Sequence, residues 1–470
     1  MFIEINRNNK IPVKKQLYDA LTFKFLNGEI DGGSKLPSTR KLSDELNISR
    51  STILEIYEQL IAEGYLYSSR GSGTYVSENI KTNRQKSEKV RESGKRYDKG
   101  KDLISLIAGT PDLDSFPYKA WEKAFHTVLL RNDREIYDYG NDLGYFPLRE
   151  TLCDYLVNHK GIRCAMDQII ITSGTKDSMN IIASSLKSYF NTLISEYPCV
   201  DFIEPVFKAG HYHFIKARVD NEGLVVSSID MKSPSLIYAS PSHQFPLGGT
   251  LSIARRQALV EFAEKYDHVI LEDDYDSEFR YRGAPINSLF QLNSDRVIHI
   301  GTFSKTLCPS LRIGYMVLPV YLIKSVRIYF EKIGNFPCTL NQAVLNEIIM
   351  NGSYEKHVYR MTRQYKSKMT ILCKTLREKF GKDICINGEF CGLHLVVSFR
   401  DCEFSELDRT IFMAEGLEVD FPDDYLLEEK VIRGNKLIVG FGHLTHEEIV
   451  TAVNRLEKAI NRINGIKEGK

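Results

Sequence analysis

Gly301-Thr-Phe-Ser-Lys305-Thr-Leu-Cys-Pro-Ser-Leu-Arg312 follows directly on the apolar run Val297-Ile298-His299-Ile300. Upstream, Val269-Ile270-Leu271 leads into Glu272-Asp273-Asp274-Tyr275. Short apolar runs bounded by turn formers are read as buried strands. A lysine, a carboxylate, a phenol and an arginine therefore stand near strand ends. Lys305 at such a position is costly to bury as an ammonium and is readily neutralised. The neutral amine is a nucleophile that condenses with an aldehyde to form an imine.

The neighbouring residues complete a ligand description. Arg312 is suited to a phosphate, and Thr302 and Ser304 offer hydroxyl donors beside it. Gly174-Thr175 follows the strand-like Gln168-Ile-Ile-Ile-Thr172 and opens a helical stretch from Asp177, whose free backbone N–H groups make an anion site. Asp273 is suited to hold a pyridine nitrogen protonated. Tyr275 is suited to donate to a phenolic oxygen on the ring, and Phe207 to cover one ring face. The cofactor that matches is pyridoxal 5'-phosphate (PLP).

Other apolar runs, Ser235-Leu-Ile-Tyr-Ala239 among them, alternate with helical patterns from about residue 102. That alternation predicts an α/β domain with a mainly parallel sheet over about 102–335. The tail, about 336–470, differs. Long helical stretches over 341–380 and 445–463, with strand candidates 392–398 and 436–440, predict a smaller α+β domain.

The first 78 residues have a different pattern again. Leu17, Ala20, Leu21 and Phe25 form the stripe of one helix. Ser38 is the cap of a second over 39–46, with Leu42 and Leu46 inward, and Ser49 the cap of a third over 50–63. The third helix would bury Ile53, Tyr57, Leu60 and Ile61, and Gly64 ends it. Tyr65-Leu-Tyr67 and Gly73-Thr-Tyr-Val76 then read as a hairpin. Three helices and a hairpin in this order make a winged helix-turn-helix, its third helix aimed at the major groove of double-stranded DNA. Residues 79–101 hold nine Lys or Arg against three Asp or Glu and lack apolar periodicity, which predicts a basic linker.

Bulk properties bound the alternatives. A chain of 470 residues is long enough for several domains, and its net charge of +1 leaves any DNA contact to a local basic surface. The nine cysteines form no C-x-x-C pair, so no metal site is expected and a reducing cytoplasm is. The N-terminus lacks a signal-peptide core, and no apolar run is long enough for a membrane span.

Pro37-Ser-Thr-Arg-Lys-Leu42 and the segment Ser49 to Leu66 resemble the GntR family closely. The resemblance implies that Arg40, Arg50, Ser51 and Thr52 touch phosphates or base edges, with Arg70 and Gly71 in the wing. The rest of the chain resembles fold-type I aminotransferases, and the combination resembles the MocR (GabR-like) regulators. Further matching pieces are Tyr139 to Arg149, Pro241-Ser-His-Gln-Phe-Pro-Leu-Gly248 and Glu272 to Phe279. Through the second of these, His243 joins the residues expected at the ring's edge. The resemblance also implies a head-to-tail homodimer on promoter repeats.

Two positions depart from that pattern. His443, in Leu437-Ile-Val-Gly-Phe-Gly-His-Leu444, stands where relatives carry an arginine for a substrate carboxylate. Ala209 replaces a second arginine, with Lys208 adjacent. His443 and Lys208 are thus the expected effector-pocket residues. The reading favours a PLP-dependent transcription regulator over an enzyme, with PLP itself as effector and an amine or amino acid second. The alternative is an aminotransferase with an accessory DNA-binding domain.

Overall fold

The computed structural model describes residues 5–7, 11–69, 71–78, 80, 103–138, 140–283, 286–333, 337–400, 402–426 and 434–468. They belong to two compact units, Met1–Asp98 and Lys99–Lys470.

In the first unit, α1 (Val13–Leu26), α2 (Thr39–Leu46) and α3 (Arg50–Ala62) precede a hairpin of β1 (Leu66–Ser69) and β2 (Gly73–Val76). Capping sets the helix starts. Ser38 Oγ accepts from Lys41 N and Ser49 Oγ from Thr52 N, each at 3.2 Å. Such a cap satisfies a donor the helix leaves unpaired and stabilises by about 1 kcal/mol. Asn47 (φ 54°) stops α2, and Gly64 (φ 80°) stops α3. Leu17, Leu21, Phe25, Leu42, Ile53, Tyr57 and Leu60 meet in one core with Leu66 and Val76. The stripe of α3 differs from expectation: Ile56 is buried, and Ile61 is 36% exposed. Position 56 lies three residues from Ile53 and four from Leu60, the spacing that shares a helix face. Ala20 and Leu46 are only partly buried, and the first wing strand begins at Leu66.

The second unit is built on an eight-stranded sheet. Its strands are β3 (Ile169–Thr172), β4 (Thr192–Tyr197), β5 (His213–Asp220), β6 (Gly223–Leu224), β7 (Leu236–Ala239), β8 (Val269–Asp274), β9 (Val297–Thr302) and β10 (Gly314–Val317). They lie in the order β3-β10-β9-β8-β7-β4-β5-β6. The run from β9 to β5 is parallel, and β10 is antiparallel to both its neighbours. Cores cover both faces, so the central strands are continuous apolar runs. Side chains alternate between the two cores along each strand: Ile270 joins one, while Val269 and Leu271 join the other. This alternation carries on into the acidic end of β8, sending Asp273 and Asp274 to opposite faces.

A three-stranded antiparallel sheet of β11 (Ile384–Asn387), β12 (His394–Phe399) and β13 (Lys436–Gly440) forms the smaller part with its own apolar core. The helix expected over 341–380 is two helices, Thr339–Met350 and Ser353–Phe380, because Gly352 takes φ 71° between them.

Candidate functional site

A cavity of about 440 Å³ opens beyond the carboxyl ends of β7, β8 and β9, where open α/β sheets bind ligands. Lys305 reaches it from the turn after β9. Its ammonium donates to the Gly109 carbonyl at 2.5 Å. Burial pulls the Lys305 pKa down, against the pull of Asp276 and Asp273. Gly109 (φ 91°) is required here, since a Cβ would lie 3.0 Å from the lysine nitrogen.

Asp273 ends β8 on the cavity face. One carboxylate oxygen accepts from the Tyr238 hydroxyl at 2.9 Å, while Oδ1 is buried without a partner. Burial pushes the Asp273 pKa up to about 7; Asp274 and Asp276 add to the rise, and Tyr238 and Lys305 oppose it. An unpaired buried carboxylate oxygen is costly, so this atom is suited to a donor brought by a ligand.

The opposite end of the cavity is suited to an anion. Gly174 (φ 98°) precedes α4 (Thr175–Ser185), whose first N–H groups have no partner within the helix. A Cβ on Gly174 would lie 3.7 Å from the Arg312 guanidinium. Arg312 itself holds φ 50°. Thr302 Oγ1 and Ser304 Oγ lie 3.1 Å apart, and Ser304 N–H donates to Thr302 Oγ1. Lys305, Asp273, Tyr275, Arg312, Gly174, Thr175, Thr302 and Ser304 all line this one cavity. The Tyr275 hydroxyl donates to the His243 carbonyl at 2.7 Å, leaving its oxygen as an acceptor.

Four expected residues lie elsewhere. Phe207 is fully buried in the apolar core, because the helix Ile203–Ala209 turns it inward, and Phe202 and Val200 line the cavity instead. His243 is not on the cavity wall; its Nδ1 meets Asp276 Oδ2 at 2.9 Å, and its ring stacks on His394 at 4.3 Å and 27°. Phe245 and His394 hold the wall positions. His443 Nε2 donates to the Ser105 carbonyl at 3.0 Å, and the exposed Lys208 pairs with the buried Glu204 at 2.5 Å. Neither lines the cavity.

Tyr238 and His394 were missed. Both sit in runs read only as strands, and the available signal was a polar residue at a buried alternation position. His394 is fully buried, and its pKa is held well below the usual range by that burial, with His243 and Lys305 contributing. His243, Asp276 and His394 are the described residues that cluster as metal ligands. Their geometry is that of a hydrogen-bonded pair with a stacked ring. The in-plane lone pairs of near-parallel imidazoles run side by side and do not converge on an ion.

In the first unit, Arg40 and Arg50 are exposed in the first turns of α2 and α3. Ser49 Oγ lies 3.1 Å from Ser51 Oγ and 2.7 Å from Thr52 Oγ1, so both hydroxyls cluster at the N-terminus of α3. Gly71 (φ 79°) is exposed in the wing turn. Arg70, Tyr139 and the linker, apart from Ile80, lie outside the described residues.

Residues 13–76 match the family of bacterial regulatory proteins called gntR, and residues 101–395 match aminotransferase class I and II. The chain belongs to the MocR-type GntR regulators. It is 36% identical to the uncharacterized HTH-type transcriptional regulator YdeL of Bacillus subtilis, across 84% of this chain and 85% of that one. It is 28% identical to the pyridoxine biosynthesis transcriptional regulator PdxR of Corynebacterium glutamicum, across 95% of each chain. Among solved structures it is similar to the multiple substrate aminotransferase of Thermococcus profundus, with a TM-score of 0.71 and 25% identity over 81% of this chain and 96% of that one. This MocR-type chain is a transcription regulator whose helix-turn-helix implies DNA binding, and its aminotransferase-like fold implies PLP use. No helix among its described residues is long and apolar enough to cross a membrane.

Proposed function

We propose that the cavity binds PLP and that its capture changes operator binding, making the chain a cytoplasmic sensor of vitamin B6. The observation that carries this reading is the pairing of Lys305 with the unpartnered Asp273 Oδ1 across one cavity. When bound, PLP supplies an aldehyde for covalent attachment and a pyridine ring that withdraws electrons. Lys305, its amine held toward the neutral form by burial, is the nucleophile. Asp273 accepts from the ring nitrogen through Oδ1 and regains its charge beside that cation. Arg312, the N–H groups at Gly174 and Thr175, and the Thr302 and Ser304 hydroxyls hold the phosphate. Tyr238 orients Asp273, Tyr275 lies beside the ring with its hydroxyl oxygen as an acceptor, and Phe202, Phe245 and Val200 exclude water from the ring's faces.

Several features favour PLP alone as the effector. Among the described residues lining the cavity, Arg312 is the one arginine, and it is assigned to the phosphate. The relative PdxR is named for pyridoxine biosynthesis. An amine or amino acid reacting at Lys305 is the second candidate. The functional form is a head-to-tail homodimer whose two winged helices, each about residues 1–78 on a basic tether of 79–101, read paired half-sites. Arg40, Arg50, Ser51 and Thr52, with Arg70 and Gly71 in the wing, are its DNA contacts. The test is to titrate PLP, then PLP with amines, against promoter-fragment binding. An unchanged affinity and footprint would defeat the sensor.

A second reading, a working aminotransferase, is favoured by the likeness to solved aminotransferases. Sustained multiple turnover with amino-acid and keto-acid pairs would establish it, and a single stalled half-reaction would not.

A further inference from the structure

A second cavity, of about 500 Å³, lies on the opposite face of β8 from Lys305. Asp274 lines it, one residue after Asp273 and turned the other way by the strand's alternation. It lies between the helix Phe146–Lys160, the loop after β8 and the start of the helix Ser353–Phe380.

The cavity contains more acceptors than donors. Lys160 at its base donates to Asp274 Oδ2 at 2.7 Å and Ser277 Oγ at 2.8 Å and forms an ion pair with Glu278 Oε1 at 2.7 Å. Asp274 Oδ1, Glu278 Oε2 and Glu355 Oε2 are buried without partners, three acceptors against one unpartnered buried donor, Arg280 Nε. The Asp274 side chain is only 6% exposed. Three carboxylates face two permanent cations, Lys160 and Arg280, and the surplus charge is negative. Three phenol rings complete the wall: Tyr155 and Tyr354, with centroids 5.6 Å apart at 66°, and Tyr359 at the rim, 68% exposed. Aromatic faces beside unpaired carboxylates are the recognised way to hold an organic ammonium.

We propose that this cavity is a second ligand site, for a small organic amine in its cationic form, distinct from the cofactor cavity. The ammonium takes the free oxygens of Asp274, Glu278 and Glu355. Its apolar body lies against Tyr155, Tyr354 and Tyr359. The site does not depend on PLP being the ligand of the first cavity.

The test uses full-length protein and N,N-dimethylbenzylamine, a tertiary amine that is protonated at neutral pH and cannot condense with an aldehyde. Calorimetric titration is expected to give saturable binding, at least tenfold tighter than for the neutral N,N-dimethylbenzamide. Glu355→Gln, at a half-buried position, and Tyr359→Ala, at the exposed rim, should each weaken it five- to tenfold, and Lys305→Ala should leave it in place. Absence of saturable amine binding, equal binding of the amide, or indifference to both of these variants would overturn the proposal. So would loss of binding in Lys305→Ala, which would assign the amine to the cofactor cavity.

Discussion

The winged-helix unit displays its acting groups, whereas the cofactor cavity hides them. Arg40 and Arg50 are exposed on the first turns of short helices, held by caps that span three residues of sequence. Lys305, Asp273 and Gly109 come from three distant segments, and burial has altered the chemistry of two of them. A DNA surface works through charges that keep ordinary solution properties and screen with salt. A covalent cofactor site works through groups that water would have spoiled.

The sharpest way to break this contrast is Lys305→Ala. Loss of the proposed attachment point should abolish the visible absorption of PLP-treated protein and leave no adduct after borohydride trapping. A retained coloured adduct would mean another amine is the nucleophile. Next in size, Arg50→Ala should weaken promoter-fragment binding by about 1–3 kcal/mol, roughly five- to 150-fold, and lower the salt slope by about one if the partner is a phosphate. PLP absorption should not change.

Asp273 supplies a pH test. Its pKa rises from 3.8 to about 7 on folding, so between those values the folded chain binds a proton that the unfolded chain does not. The stability associated with that proton is present in acid and is lost as pH rises toward 7. Asp273→Asn keeps the acceptor for Tyr238 and removes the titration. In PLP-free protein it should therefore raise stability at pH 8 by about 4 kcal/mol and have little effect near pH 4. A gain of equal size at both pH values would refute the assignment. In PLP-loaded protein the same change should weaken cofactor retention.

Two smaller effects refine the comparison. Gly109→Ala forces φ 91° on a residue with a Cβ and crowds the Lys305 amine, so denaturant titration should show a loss of about 1–2 kcal/mol with slower PLP attachment. His443→Ala removes one hydrogen bond to Ser105, worth about 1 kcal/mol, and should leave effector response unchanged. A changed response would return His443 to the effector pocket.

How legible the molecule was in its sequence depended on the range of the interactions. The cap residues Ser38 and Ser49, the stop at Gly64 and the strand run into Asp273 are local signals, and each was readable. Ile56 and Ile61 exchanged places because a stripe read from identity alone cannot tell which of two isoleucines faces the neighbouring helix. Phe207 was misassigned for a similar reason. Its helix lies beside the cavity, but Phe207 is on the face turned into the core, and Phe202, just before the helix, lies on the wall. Tyr238, His394 and Gly109 had no sequence signal linking them to Lys305, because each meets the site only through packing.

The order of residues alone settled the helix starts and stops of the winged-helix unit and the α/β alternation, and it pointed to the lysine and arginine near the strand ends. Those depend on capping, periodicity and side-chain chemistry, all of which act within a few residues. Tertiary structure decided which carboxylate oxygen is left without a partner, and which of two adjacent aspartates faces the lysine. Partnership and burial are sums over neighbours brought from far along the chain, and no local pattern records them.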